Sequence, residues 1–429
     1  MKYSYIFFLV IILLSSCGHN CKTDCIKYGL DENCCPQVDS TFAKQKEPSI
    51  NQINIFLETS GSMAGYMPST QPATEFQKFI TDIIERLNSQ FDGKLHFYYM
   101  SESDKSSKKI QFTKVIDDVL YGKFPSWNGT TYIPQMLDTI NNYNGRNSVN
   151  LLISDFIFSP EQNKSKYTET VTSNLYPIIN QSKNFCSSFI CLFSEYRSSI
   201  CSNNNPTSNS PYFLYIQGEN ENINLILKDI KKSIDQLKQP SNFLEFGIKY
   251  SNLYYSVLPY TETSANFIAM PCENFENSFL SIQEIDLRNS LDSLSFWVGI
   301  DLSSLPTYTH SNDYLEKNLK FSIRNGNVKI VNIQKLPYQN TDIDDLPITN
   351  KCTHLLKFQV TGITECVSIL KLSLNYSRPD WINELNEEED ENQRSKTFGL
   401  KKVISGFEQS YFPDDNKVLF ENLQIVLTK

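Results

Sequence analysis

Oxygen-bearing side chains gather at three places along this chain where an apolar run meets a turn. Glu58-Thr59-Ser60-Gly61-Ser62 follows the run Ile53–Leu57, Gly129-Thr130-Thr131 precedes an apolar helical stripe, and Asp155 ends the run Leu151-Leu152-Ile153. Hydroxyls and carboxylates are hard oxygen donors. The hydroxyls of Ser60, Ser62 and Thr131 would be neutral ligands, while Glu58 and Asp155 would add charge directly or through waters. Such a shell suits a divalent cation. The same residues also have a purely structural reading, in which the serines cap a strand-to-helix turn and Thr131 N-caps its helix. Thr130 is the alternative to Thr131.

These clusters meet only if the intervening chain forms a sheet with helical crossovers. Ile53–Leu57 is mostly apolar, as a buried parallel strand is, and Phe76, Phe79, Ile80, Ile83, Ile84 and Leu87 trace one helical face. Strand-like runs recur at Leu95–Met100, Val149–Ile153, Phe189–Phe193 and Tyr212–Ile216. Helical stripes lie between or after them, at Ile133, Met136, Leu137 and Ile140, at Val171, Leu175, Ile178 and Ile179, and from Ile223 to Leu237. Pro177 is expected to kink or shorten the second of these stripes. The alternation predicts a doubly wound, mostly parallel α/β sheet over residues 51–240, with ligands bound outside the carboxyl ends of its strands.

In this order and on this pattern, the three clusters resemble the metal-ion-dependent adhesion site of the von Willebrand factor type A family. That site combines a D-x-S-x-S loop, a threonine before a helix and an aspartate at a later strand end. Ser60 and Ser62 match the two serines, with Gly61 and Met63 fitting their surroundings. Thr131 matches the threonine because Ile133, Met136 and Leu137 follow at the apolar positions, and Asp155 matches the aspartate. The resemblance covers roughly residues 50–240. It implies a binding site in which an acidic side chain of a protein or peptide partner completes the coordination of the ion. Glu58 stands where the family has aspartate, and its extra methylene moves the carboxylate by ~1.5 Å. Mg²⁺ demands near-octahedral ligands at ~2.0–2.1 Å. Glu58 therefore acts through a water, or the site takes Ca²⁺ or Mn²⁺, or it holds no metal.

The first seventeen residues point to export. Lys2 precedes the apolar stretch Ile6–Leu14, and Leu14-Ser15-Ser16-Cys17 resembles a bacterial lipobox, in which Cys17 is lipidated and becomes the new N-terminus. The stretch is shorter than the ~20 residues that span a bilayer. Residues 1–17 are thus expected to be a lipoprotein signal peptide, and the lipid to anchor the protein in the bacterial cell envelope, periplasmic or surface-exposed. Residues 18–50 look like a polar tether without periodicity. Cys21, Cys25, Cys34 and Cys35 within it lack a standard zinc spacing, and export favours disulfides, whose connectivity stays open.

After Pro240 the texture changes. Short runs at Phe243–Lys249, Ile282–Leu287, Ser295–Ile300, Lys320–Ile323, Val328–Ile333, His354–Val360 and Ile369–Leu374 predict a β-rich, sandwich-like domain over residues 241–385. In residues 386–429 the acidic run Glu387–Glu391 reads as a solvated linker. A helix from Phe398 to Tyr411 and a strand from Val418 to Leu427 then pack on the preceding domains.

Composition removes several function classes. The formal charge of −9 becomes −10 once Lys2 leaves with the leader, and no basic cluster tracks a phosphate backbone, so nucleic acid is not an expected partner. His19, His96, His310 and His354 are scattered. No nucleophile elbow, phosphate-binding loop or dinucleotide fingerprint occurs. The sequence reads as a non-enzymatic, lipid-anchored envelope protein that binds or adheres to a protein or peptide, with a divalent cation at Glu58, Ser60, Ser62, Thr131 and Asp155. A metal-free scaffold in an envelope complex is one alternative, and a hydrolase using a metal-polarised water is another.

Overall fold

The computed structural model describes residues 21–37, 47–100, 109–124, 132–157, 164–197, 207–248, 250, 253–259, 267–275, 278–285, 293–337, 348–388, 394–413 and 417–429. Cys17, Thr130 and Thr131 lie outside the described residues, as do the signal peptide and Glu389 to Glu391 of the acidic run.

Strand β1 (Gln52–Glu58) is buried almost throughout and pairs in parallel with β2 (Leu95–Met100) on one side and β4 (Ser148–Ser154) on the other. Helix α2 (Glu75–Gln90) makes the crossover from β1 to β2; the short helix α1 (Cys21–Lys27) precedes both. The start of α2 is set by a capping box, in which the Thr74 hydroxyl accepts from the Gln77 N–H and the Gln77 side chain accepts from the Thr74 N–H. The two-residue strand β3 (Lys109–Ile110) lies antiparallel on β2.

Beyond β4 the sheet departs from the expected mostly parallel arrangement. Strands β5 (Cys186–Tyr196), β6 (Thr207–Gly218) and β7 (Ser241–Phe246) give the order β3-β2-β1-β4-β6-β5-β7. The pairs β4–β6, β6–β5 and β5–β7 are all antiparallel, so the seven-stranded sheet is mixed. The physical reason is the connection. Residues 197–206 are too few for the crossover of a dozen or more residues that a parallel pair needs, so β6 folds back beside β5 and inserts next to β4. Strand β7, which the sequence pattern assigns to the β-rich region, is instead the edge of this sheet.

Helices cover both faces. Ile53, Ile55 and Leu57 of β1 point to one side, where α2, α3 (Phe112–Tyr121) and α6 (Asn220–Leu237) bury their apolar stripes. Phe56 points to the other, toward α4 (Ile133–Asn141) and α5 (Lys164–Gln181), and α5 runs through Pro177 to Gln181 rather than stopping there.

The β-rich region forms two further sheets. One has the order β12-β15-β18-β10-β9, from β9 (Ile268–Cys272), β10 (Ser278–Gln283), β12 (Leu319–Ile323), β15 (Val367–Asn375) and β18 (Val418–Thr428); its β10–β18 pair is parallel and the others antiparallel. The other, order β13-β14-β11-β8, is antiparallel and comprises β8 (Tyr255–Val257), β11 (Ser293–Ile300), β13 (Asn327–Lys335) and β14 (His354–Thr361). Leu294, Phe296, Val298 and Ile300 alternate into the same core as Leu370, Leu372 and Leu374, and Phe321 meets Phe358 across the gap at 5.9 Å. Late in the chain, α7 (Asn312–Asn318), α8 (Trp381–Glu384) and the paired β16 (Asn386–Glu387) and β17 (Thr397–Phe398) precede α9 (Leu400–Tyr411). Helix α9 returns to the first sheet. Gly406 sits so close to Leu175 of α5 that an added Cβ would lie 2.9 Å away, and Phe407 packs on Phe189 at 4.8 Å. One core therefore runs through both regions.

Residues 21–37 of the expected Cys-containing tether are stapled to the rest of the chain. Disulfides join Cys21 to Cys366, Cys25 to Cys34 and Cys35 to Cys272, while Leu30 packs on Val367, Ile369 and Val426. Two of the three bonds close very long loops. A Cys35→Ser, Cys272→Ser variant is expected to lose about 2–4 kcal/mol of stability, measured by urea unfolding; an unchanged midpoint would contradict this.

Candidate functional site

Because β1 and β4 are parallel neighbours, with Leu57 opposite Ile153, their carboxyl ends leave the sheet side by side. Glu58 ends β1 with its side chain fully buried. Its Oε1 accepts from the Ser60 hydroxyl at 2.6 Å, and its Oε2 accepts from the Ser154 hydroxyl at the end of β4. Ser154 Oγ in turn accepts from the Phe156 N–H at 2.8 Å. Ser60 and Ser62 approach each other at 2.9 Å through their hydroxyls. Glu58 thus ties together both strand ends and the turn between Gly61 and Gly65.

Asp155, the first residue beyond β4, is also fully buried, and its Oδ1 accepts from the Ile157 N–H at 3.0 Å. Its Oδ2 faces Arg394, whose Nη1 lies 3.9 Å away and whose side chain is only 8% exposed. The guanidinium carbon stands 4.8 Å above the Tyr196 ring, a cation–π arrangement that holds a planar charge in a dry setting. Burial pushes the Asp155 carboxyl above its ordinary range; Arg394, then the Ser62 hydroxyl and the Ile157 N–H, hold it back.

The surrounding backbone is shaped for this convergence. Phe156 adopts a left-handed conformation, φ 50°, which costs a bulky residue about 1–3 kcal/mol. Its ring is anchored among Phe189 and Phe213, at 5.5 and 5.6 Å. On the other side, the turn after Ser60 packs so tightly that a Cβ on Gly65 would run into the Tyr196 ring, and the Gly65 carbonyl accepts from the Arg197 N–H at 2.8 Å. Tyr66 donates to the Pro211 carbonyl at 2.7 Å and is buried, so it belongs to the packing beneath the edge.

Four of the five residues singled out in the sequence, Glu58, Ser60, Ser62 and Asp155, come together here. Sequence reasoning missed Ser154 and Arg394. Ser154 carries a signal in retrospect, since it adjoins Asp155 at the end of an apolar run. Arg394 carries none, because only the fold brings it to this edge.

As a divalent-ion site the set is incomplete here, since Thr131 lies outside the described residues, and Arg394 faces one of its two carboxylates. Both Glu58 oxygens already accept hydroxyl bonds, and the free charge of Asp155 faces a cation that the chain itself supplies.

Comparison of this chain with protein-family models, with curated proteins and with solved structures produced no match.

The Asp155–Arg394 pair gives stability a definite pH dependence. A carboxyl whose pKa is raised on folding binds more protons in the native state. Stability therefore falls as pH rises from the ordinary carboxylate range through the folded pKa, and Arg394 limits that fall. Arg394→Gln is expected to cost up to about 3–5 kcal/mol at neutral pH. The cost should be far smaller below the ordinary carboxylate range, and Asp155→Asn added to it should recover part of the loss. Urea unfolding of the three variants across pH tests this; a loss independent of pH would contradict it.

Proposed function

We propose that this chain is a lipid-anchored binding protein of the bacterial cell envelope, and that it catalyses no reaction. In this reading the α/β region is a doubly wound, von Willebrand factor type A-like head that engages a protein or peptide partner where β1 and β4 end. The parallel β2-β1-β4 core, the helices on both faces and the meeting of Glu58, Ser60, Ser62 and Asp155 support that head. The inserted β6 departs from a simple doubly wound sheet.

The observation that carries the reading is the pairing of Asp155 with Arg394. It supplies positive charge at the strand ends from within the chain, which favours a metal-free edge over one completed by Mg²⁺, Ca²⁺ or Mn²⁺. Burial supports binding rather than chemistry. Ser60 and Glu58 form a short hydroxyl–carboxylate bond, but both are sealed from solvent, so the bond holds a turn and offers no nucleophile. Ser62, by contrast, is partly exposed and lies on the rim.

Crosslinking on intact cells tests this. The parent chain should capture the same partner with and without chelator, and Ser62→Lys, confirmed by urea unfolding to be folded under the capture conditions, should lose most of that capture. Chelator-sensitive capture would favour the ion-dependent form, and undiminished capture by Ser62→Lys would remove this edge from the interface.

A further inference from the structure

We propose that the face formed by α1, β12 and β15 lies against the membrane and receives the phosphate headgroups of anionic phospholipid. The inference rests on the lipid-anchor reading of Cys17 and adds an orientation to it.

The argument starts from covalent reach. The Cys21–Cys366 disulfide fastens Cys21 to the residue that precedes β15. Cys17 is four residues upstream, and four residues span at most about 14 Å when fully extended. A lipid on Cys17 therefore holds this end of the sandwich at the headgroups, with no long stalk between them.

The residues at that end suit the position. Ile26, on α1, is 60% exposed, an apolar side chain with nothing of the chain over most of it. Lys27, Arg324 and Lys371 are all exposed. Tyr28 meets two of them, with the Arg324 guanidinium carbon 4.4 Å and Lys27 Nζ 5.9 Å from its ring centre. Beside Tyr28 opens a cavity of ≈ 400 Å³ lined by Ser322, Arg324, Lys371 and Gln424 among others, which offers cations and hydrogen-bonding groups together. Two acidic residues are nearby: Glu365 accepts from the Tyr28 hydroxyl at 3.0 Å, and Asp24 lies in the first turn of α1.

Charge sharpens the point. A lipidated chain, of formal charge −10 once Lys2 has left with the leader, is repelled as a whole by an anionic bilayer, and that repulsion is relieved only where basic side chains come within a Debye length of the headgroups. A tyrosine and an exposed isoleucine among three cations match such an interface, since the ring and the apolar side chain can enter the headgroup layer while the charges meet phosphate.

The test uses the full lipidated chain in vesicles, with amine acylation read residue by residue by mass spectrometry. In phosphatidylglycerol-containing vesicles Lys27 and Lys371 should react several-fold more slowly than in detergent. Lys228 and Lys238 in the same molecule should react equally in both. Arg324→Glu, a surface change, should restore much of the reactivity of Lys27 and Lys371, and added inorganic phosphate should not mimic the vesicles. A parent chain that does not float with the vesicles refutes the anchor and the orientation with it. A chain that floats while Lys27 and Lys371 stay as reactive as Lys228 keeps the anchor and overturns this face. Equal protection in purely phosphatidylcholine vesicles overturns the anionic-headgroup assignment.

Discussion

Two carboxylates taken wholly out of water at the ends of neighbouring strands set the terms for this molecule. An isolated buried carboxylate is costly enough that it must be neutralised, hydrogen-bonded or paired. Here the two solutions differ. Glu58 is solved locally, by hydroxyls from its own turn and from β4. Asp155 is solved at long range, by an arginine that reaches it only after the chain has built the sandwich and turned back. The strand edge is thus complete only when residues 394–411 are docked.

That dependence explains why the two halves share a core. Helix α9 follows Arg394 closely and wedges Gly406 and Phe407 against α5 and the sheet. On its other side Tyr376 and Arg378, beyond β15, hold Glu408 of α9 through bonds of 2.7 and 2.9 Å. Burial pushes the Glu408 carboxyl up, but Arg378 and Tyr376 outweigh it and keep the group ionised below its ordinary range. The disulfides add the remaining constraint, since Cys366 and Cys272 tie residues 21–37 to the sandwich. Sheet, sandwich and N-terminal segment are therefore fixed to each other by groups far apart in sequence.

Much of this could be read from sequence, and what could not has a common cause. The apolar faces of α2 and α6 follow directly from side chains recurring at helical spacing, and β1 and β4 from short apolar runs that end in polar turns. Periodicity reports which face of an element is buried, but it does not say which strand lies next to which. Hence the insertion of β6 and the allocation of β7 to the first sheet were not legible. The convergence of Glu58, Ser60, Ser62 and Asp155 was legible because all four sit at strand exits, where an α/β sheet gathers ligands. Arg394 was not, since a single arginine after an acidic run has no local signature. Nor were the partners of Cys21 and Cys35, because disulfide connectivity is a property of the folded chain.

The central claim is that the chain's own guanidinium supplies the positive charge at this edge. Calorimetric titration of the folded protein with Mn²⁺ tests it most directly. The account predicts no saturable heat for the parent chain at millimolar ion. Stoichiometric binding by the parent, abolished by Ser60→Ala, Ser62→Ala, would contradict it.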